Sequence, residues 1–208
     1  MPDTVTLSRK QRDQELRRQD FLSAAERLFA RNGYHHTTME DIAHEAQYGT
    51  GTIYLYFKTK DLLYEALLER KIAEYIAFMQ KRVRHADGHL EKIRTLISAK
   101  LEFFERHREF FRIYLAEMTT ADTSLRRCVN KRREKMYYEH QSFVTQTLSE
   151  AMRAGAIRKV DPNMLATTLT GVINPLLSEW IKERSKKSIC ELEQFIMDLL
   201  FNGLEKTK

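Results

Sequence analysis

Residues that break α-helices are scarce along this chain. It contains seven glycines and three prolines among 208 residues, so few positions would interrupt a helix. Between these positions, apolar residues recur at helical spacing. The first such stripe follows the i, i+3, i+4, i+7, i+8 pattern and consists of Phe21, Ala24, Ala25, Leu28 and Phe29. The sequence therefore predicts an all-α fold.

Capping residues and glycines predict where the helices begin and end. Thr59 and Asp161 are suited to begin helices, because their side-chain oxygens accept hydrogen bonds from the first turn. The second helix begins near Thr38, and the capping residue is either Thr37 or Thr38. A glycine suits the position just past a helix, as at Gly33. After a flexible basic arm over residues 1–14, the later helices are expected near residues 60–87, 90–107, 109–118, 124–154, from 162 onward, and 191–204.

Charge and composition narrow the classes of partner. The net charge of +6 suggests a polyanionic partner. Cys128 and Cys190 lie far apart and form no metal-ligand pair, which fits a reducing cytosol. The first twenty residues are polar and charged, unlike a signal peptide, and the uncharged run 162–178 is short for a bilayer span. We expect a cytoplasmic protein with no membrane association, no metal and no cofactor.

An uncharged segment near the N-terminus is the most informative motif. Residues 46–57 carry no charge and include three tyrosines, and Lys58 and Lys60 follow them. The segment comes after a short predicted helix and a break at residues 47–50. Two short helices joined by a tight turn, with a third bracing them, form a helix-turn-helix whose second helix fits the DNA major groove. We place this motif at about residues 38–57, within a DNA-binding domain over residues 15–75.

The side chains of this segment suit close approach to DNA. Hydroxyl groups donate hydrogen bonds to phosphate oxygens, and no acidic residue occurs within residues 46–60. The alternative is that Ile53, Tyr54 and Phe57 are only the core of a small helical lobe. That alternative does not explain a Thr-Gly-Thr sequence at a place where a generic helix would carry better helix formers.

The same residues resemble a known family. TMEDIAHEA at residues 38–46, GTGTIYLYFKTKDLL at 49–63 and AAERLFARNGY at 24–34 resemble the DNA-binding segment of TetR-type transcriptional regulators. The resemblance implies an N-terminal three-helix helix-turn-helix domain and a C-terminal helical ligand-binding and dimerisation domain, here residues 76–208. It also implies that DNA is contacted by Thr38, Thr50, Gly51, Thr52, Tyr54, Tyr56 and Lys60.

Three residues of the turn depart from the family pattern. The family usually has glycine, an apolar residue and serine where this chain has Gln47, Tyr48 and Gly49. Gln47 is expected to hold a left-handed conformation, at a cost of roughly 1 kcal/mol. Gly49 can cap a helix without a hydroxyl. Tyr48 either packs into the core of the lobe or makes an additional DNA contact.

The remaining two-thirds of the chain is expected to bind an effector and to dimerise. The last two helices each carry an apolar stripe, which could form a four-helix interface with a second copy or cover the core of the same chain. Aromatic residues in the middle helices form either an ordinary core or a pocket for an apolar ligand. The residues that we assign to ligand binding are Tyr114, Tyr137 and Asn174. A basic cluster over residues 126–135 is either a solvated helix face or a site for an anionic effector such as an acyl-CoA.

These observations predict a ligand-responsive repressor that binds a palindromic operator as a homodimer through its last two helices. A small hydrophobic or amphipathic effector would release it from double-stranded DNA. One alternative is a helical protein-interaction module that no longer binds DNA. An enzyme is not expected, because no nucleophile stands with a plausible base and no Gly-rich phosphate loop precedes a lysine.

Overall fold

The computed structural model describes residues 8–117, 123–182 and 188–203. Within these ranges, the side chains of residues 116, 117, 123–133, 135 and 136 are not described. The described residues form nine helices and no strand, which confirms the all-α prediction. The helices are α1 Arg9–Asn32, α2 Met39–Glu45, α3 Thr50–Tyr56, α4 Lys60–Arg84, α5 His89–Arg106, α6 Arg108–Glu117, α7 Thr123–Arg153, α8 Pro162–Lys182 and α9 Ile189–Asn202. Among the described helices, none combines the length and apolarity needed to cross a bilayer.

The first helix begins earlier than predicted. Residues 9–14 belong to α1 and not to a flexible arm, while residues 1–7 lie outside the described residues. Ser8 explains the difference, because its hydroxyl accepts a hydrogen bond from the Gln11 backbone and its own N–H donates to the Gln11 side chain. This capping box satisfies two backbone donors at the start of the helix, although the first turns bury no apolar residue.

Helices α1, α2 and α3 pack with the first turns of α4 around one aromatic and aliphatic core. Phe21, Ile42, Ile53 and Leu63, one from each helix, are fully buried there. Burial of an aliphatic or aromatic side chain contributes about 1.5 to 3 kcal/mol each, so this core holds the two short helices in place. Neither α2 nor α3, at seven residues each, is long enough to be stable alone.

Helix α4 continues from this lobe into the C-terminal domain. It packs against α5 and α7, while α8 lies against α6 and α7, and α9 against α5 and α8. Helix α5 is therefore surrounded by α4, α6, α7 and α9.

An ionic junction connects α1 to the C-terminal domain. The Glu26 carboxylate accepts hydrogen bonds from Arg70 Nη2 at 2.9 Å and lies 2.7 Å from Lys71 Nζ. Lys71 is buried, and its amine also lies 2.9 Å from Glu74 and 3.3 Å from His107 Nδ1. His107 stands between α5 and α6, so one buried amine ties the DNA-binding lobe to the connection between these two helices.

Candidate nucleic-acid interface and effector region

The turn between α2 and α3 has the geometry of a helix-turn-helix. Gln47 has φ of 62°, which confirms that it holds a left-handed conformation where the family usually has glycine. Hydrogen bonds from Tyr48 N to Ala43 O, at 2.9 Å, and from Thr52 N to Gly49 O, at 2.8 Å, close the turn. Gly49 caps α3 without a side-chain hydrogen bond, as predicted, so the first N–H groups of α3 are left for other acceptors.

Thr38 is the cap of α2. Its hydroxyl oxygen accepts from Asp41 N at 3.1 Å, and its N–H donates to Asp41 Oδ2 at 2.9 Å. This backbone hydrogen bond is the main reason why the pKa of Asp41 is lowered. Thr37, the other candidate cap, is fully buried and donates to Gly33 O. Thr38 is exposed and still holds its own hydroxyl hydrogen, which can be donated to a phosphate oxygen.

One face of α3 is buried and the opposite face is exposed. Ile53 has no exposed surface and Phe57 has 4%, so these two residues of the core-lobe alternative do pack inward. The exposed residues recur at helical spacing and comprise Thr50, Gly51, Tyr54, Leu55 and Lys58, with Thr52 and Tyr56 partly exposed. The sequence argument missed Leu55, although 77% of its surface is exposed on this face.

Among the described residues, nothing packs against the position that a side chain of Gly51 would occupy. A Cβ placed on it would meet no atom within 4 Å, and its backbone does not need a positive φ. Glycine inside a helix is nonetheless unfavourable by about 0.8 to 1 kcal/mol relative to alanine. The missing side chain leaves open space on the exposed face of α3.

The tertiary structure brings an acid to the exposed face that the sequence segment lacks. Tyr54 donates its hydroxyl to Glu40 Oε1 of α2 at 2.9 Å, and both residues are exposed. This hydrogen bond raises the pKa of the Tyr54 phenol. Residues 46–60 contain no acidic residue, but the folded surface around them does include the carboxylate of Glu40.

Tyr48 packs within the lobe. Its ring centroid lies 5.0 Å from that of Phe21, and its hydroxyl donates to Asp20 Oδ2 at 2.8 Å. Tyr56 also packs on Phe21, with a centroid distance of 5.5 Å, and keeps part of its surface exposed. Of the two roles considered for Tyr48, the structure favours packing.

Lys60 points into the lobe. Its amine donates to Tyr34 O at 2.8 Å and to Thr37 O at 2.9 Å, and it lies 4.4 Å from the centre of the Tyr34 ring. As placed, Lys60 fastens the loop between α1 and α2, and so holds the residues just before Thr38.

Basic residues of α1 lie beside the motif. The Arg17 guanidinium stands 5.9 Å from the Tyr48 ring centre, and Arg18 stands 5.2 Å from the Phe57 ring centre. Both positions add positive charge next to the helix-turn-helix without belonging to it.

The three predicted ligand residues lie on different helices. Tyr114 of α6 is partly buried and packs edge-on against Phe111. Tyr137 of α7, which was assigned to ligand binding, has 41% of its surface exposed, and its ring packs beside Tyr138. Asn174 is exposed on α8 and accepts a hydrogen bond from Lys100.

A polar cluster that the sequence argument missed lies inside the C-terminal domain. Lys100 of α5, 4% exposed, donates to Asn174 Oδ1 at 2.5 Å, while Tyr75 of α4 shares a buried hydrogen bond of 2.9 Å with His140 Nδ1 of α7. Burial lowers the pKa of Lys100 to about 8. Burial, and then the charge of Lys100, lowers the pKa of His140 to about 2, so this imidazole is neutral.

A sequence signal for this cluster does exist. Lys100 falls on the apolar stripe of α5, four residues after Leu96 and four before Phe104. A charged residue in the middle of such a stripe has to be buried with a partner or to serve a function. Among the described residues, by contrast, no group of three His, Cys, Asp or Glu side chains could hold a metal ion.

Comparison with known proteins places the chain among bacterial regulators. It is 24% identical over 184 residues to the fatty acid metabolism regulator protein of Bacillus subtilis, covering 88% of this chain and 93% of that protein. It is 25% identical over 177 residues to the HTH-type transcriptional regulator TtgR of Pseudomonas putida, covering 83% of each.

Solved structures share the fold. The fatty acid degradation regulator FadR from Bacillus halodurans superimposes with a TM-score of 0.75 at 21% identity, covering 92% of this chain and 97% of that one. FadR from Bacillus subtilis, solved in complex with stearoyl-CoA, superimposes with a TM-score of 0.74 at 23% identity, covering 90% and 99%.

Family models match both parts of the chain. Residues 21–67 match the bacterial regulatory proteins of the tetR family. Residues 86–204, more than half of the chain, match the tetracyclin repressor-like C-terminal domain. The first match contains α2 and α3, and the second contains α5 to α9. The chain therefore belongs to the TetR family of DNA-binding transcription regulators.

Proposed function

We propose that this protein is a transcriptional repressor that binds a palindromic operator as a homodimer and is released by a long-chain acyl effector. The exposed face of α3 carries the DNA-binding part of the proposal. It combines hydroxyl groups, a glycine in open space and uncapped helix N–H groups, which together suit close contact with the sugar-phosphate backbone.

Each residue of this face has a definite role in the proposal. Hydroxyl donors to phosphate are Thr38, Thr50, Thr52, Tyr54 and Tyr56, and Tyr54 would exchange its hydrogen bond to Glu40 for one to phosphate. Gly51 admits the DNA backbone, and Leu55 is positioned for apolar contact with a thymine methyl group. Lys60 acts by holding the loop that precedes α2, because its amine bonds two carbonyls of that loop.

A dimer through α8 and α9 would supply two such faces. Both helices expose apolar side chains in the single chain, with Met164 72% exposed and Phe195 56% exposed. Gly171 is exposed on α8, and a Cβ there would meet no atom within 4 Å, so a partner helix can approach closely. Two recognition helices on a palindrome would be spaced at roughly 34 Å or a multiple of it.

Support for an acyl effector comes from two sources. One relative is named a fatty acid metabolism regulator, and a solved FadR structure holds stearoyl-CoA. In this chain, an aromatic group between α4, α5 and α6 includes Phe104 and Phe111, whose rings stack at 4.0 Å. The basic cluster over residues 126–135 was interpreted either as a solvated helix face or as a site for an anionic effector, and its side chains lie outside the described residues apart from Glu134. The effector would shift the equilibrium between the DNA-binding conformation and the released conformation only by its difference in affinity for the two.

A DNA-binding experiment tests the first part. A duplex selected from random sequences by the purified protein would be titrated with the parent and with a Thr52→Ala, Tyr54→Ala double variant. Two lost hydrogen bonds of roughly 1 kcal/mol each would weaken binding about 30-fold. Tyr138→Ala removes an exposed tyrosine of α7 and should leave the affinity unchanged. If no duplex is selected even at low salt, the protein-interaction module is the better description.

A fluorescence titration tests the second part. Trp180 is the only tryptophan, is 8% exposed on α8 and lies 4.1 Å from the Arg108 guanidinium of α6. Palmitoyl-CoA should change its emission and release the duplex over the same concentration range. A change in emission without release would separate binding from regulation, and neither change would exclude this class of effector.

A further inference from the structure

We propose that Lys100 binds the acyl oxygen of the effector, so that the polar cluster between α4, α5, α7 and α8 recognises the head of a long acyl chain. This inference rests on the proposed acyl effector and assigns it a binding group. The shared chemistry is a carbonyl oxygen at the end of an apolar chain, present both in a fatty-acid carboxylate and in an acyl thioester.

The first observation is a buried cation without a counter-ion. Lys100 is 4% exposed, and among the described residues no carboxylate lies within ion-pair distance of its amine. Its hydrogen bond goes to the neutral amide oxygen of Asn174 at 2.5 Å. An ammonium group can donate three hydrogen bonds, so two donors remain for other acceptors. A buried charge with this little compensation is unfavourable for the fold unless a ligand completes it.

The second observation is the charge of the surrounding groups. Tyr75 and His140 stand on the neighbouring helices and bond each other at 2.9 Å. The imidazole of His140 is neutral because its pKa is lowered to about 2. The cluster therefore carries one positive charge and, among the described residues, no negative one. An acceptor oxygen with negative charge or a strong dipole complements it.

The third observation is the apolar surface that begins at the same place. The Tyr75 ring lies 5.2 Å from Phe103 and 5.8 Å from Phe104, while its hydroxyl belongs to the polar cluster. Phe104 in turn stacks on Phe111 of α6. Polar head group and aromatic surface thus adjoin through one residue, which fits an amphipathic ligand better than a purely polar or purely apolar one.

Calorimetric titrations with three sixteen-carbon probes test the assignment. Palmitate carries a carboxylate, palmitoyl-CoA a thioester and hexadecanol neither. Lys100→Met should weaken palmitate binding at least about tenfold, since a hydrogen bond between charged groups contributes roughly 1.5 to 3 kcal/mol. Hexadecanol affinity should stay the same. If Lys100→Met loses palmitoyl-CoA affinity to the same extent, the thioester is a second source of the oxygen. If its palmitoyl-CoA affinity is unchanged, the site takes carboxylates only.

Two variants control the result. Lys81→Met removes an exposed lysine of α4 and should leave all three affinities unchanged. Asn174→Ala removes the partner of Lys100 but keeps its charge, so palmitate binding should persist within about threefold, the equivalent of one neutral hydrogen bond.

Several outcomes would overturn the inference. Equal palmitate affinity in the parent and in Lys100→Met would do so. The inference would also fail if Lys100→Met no longer dimerised but kept its affinity for the acyl probes. In that case the remaining donors of the Lys100 amine would be bound by the second copy of the chain. If the parent binds none of the three probes, the proposed effector class fails and this inference with it. If the parent binds them and Lys100→Met binds equally, only this inference fails.

Discussion

Replacing Lys100 with methionine should stabilise the free protein. Methionine has a similar length and no charge, so it can occupy the same buried space. Burial lowers the pKa of Lys100 from 10.5 to about 8. Each unit of this difference corresponds to about 1.36 kcal/mol, so the charge costs about 3 kcal/mol at pH 7. The lost hydrogen bond to Asn174 offsets about 1 kcal/mol, which leaves a gain of about 2 kcal/mol.

The pH dependence identifies the cause of this gain. The pKa of Lys100 is lower in the folded state than in the unfolded state, so the unfolded chain holds this proton more tightly. Stability of the parent is therefore lost as pH falls from 10.5 to 8, and below 8 the penalty is complete. The advantage of Lys100→Met should be largest at pH 7 and should nearly vanish by pH 10.

Urea unfolding of the parent and of Lys100→Met at pH 7, 8.5 and 10 measures both effects. All samples should have the same protein concentration, because dimer formation adds to the apparent stability. Lys81→Met serves as the exposed control and should change little at any pH. A variant that is less stable than the parent at pH 7, or an advantage that is the same at pH 10, would refute the reasoning about a buried, uncompensated charge.

Three further predictions concern other sites. Gly51→Ala should raise the free energy of unfolding by about 1 kcal/mol because alanine is the better helix former, yet weaken DNA binding in a gel-shift titration; stronger binding would exclude close approach at this glycine. Glu40→Gln should tighten DNA binding, because it removes a negative charge beside Tyr54, and an unchanged dissociation constant at low salt would show that this carboxylate lies away from the duplex. His140→Phe should be less sensitive to acid than the parent, since the pKa of His140 is about 2 in the folded state and near 6.5 in the unfolded state. Between pH 6.5 and 5, the free energy of unfolding measured in urea should fall by about 2 kcal/mol more for the parent than for the variant. Equal falls in the two proteins would contradict a buried neutral imidazole.

Local sequence was sufficient for most helix boundaries. Thr59 and Asp161 were predicted to cap helices, and the cap of α2 was narrowed to Thr37 or Thr38. In the structure, a side-chain oxygen of Thr38, Thr59 and Asp161 accepts a backbone N–H. A cap acts within one turn, so its partners are close in sequence and can be identified without the fold. The start of α1 was nevertheless missed. Ser8 and Gln11 form a capping box, but the turns that follow it bury no residue and show no apolar stripe, so periodicity did not indicate a helix there.

Left-handed backbone was likewise predictable at Gln47. The resembling family usually has glycine at that place, and the backbone keeps the positive φ with glutamine there. The orientation of α3 could also be inferred, since Ile53 and Phe57 repeat at four residues and both are buried.

The sequence by itself determined the all-α fold and most helix boundaries, because those depend on periodicity and on contacts within a few residues, and its motifs were sufficient for the resemblance to the family. Only the tertiary structure decided which distant groups meet. It placed Glu40 against Tyr54, turned the amine of Lys60 toward the loop before α2, and enclosed Lys100 beside Asn174, seventy-four positions away in the chain. Charge and hydrogen bonding act over a few ångströms of space regardless of separation along the chain, so these environments exist only once the helices have packed.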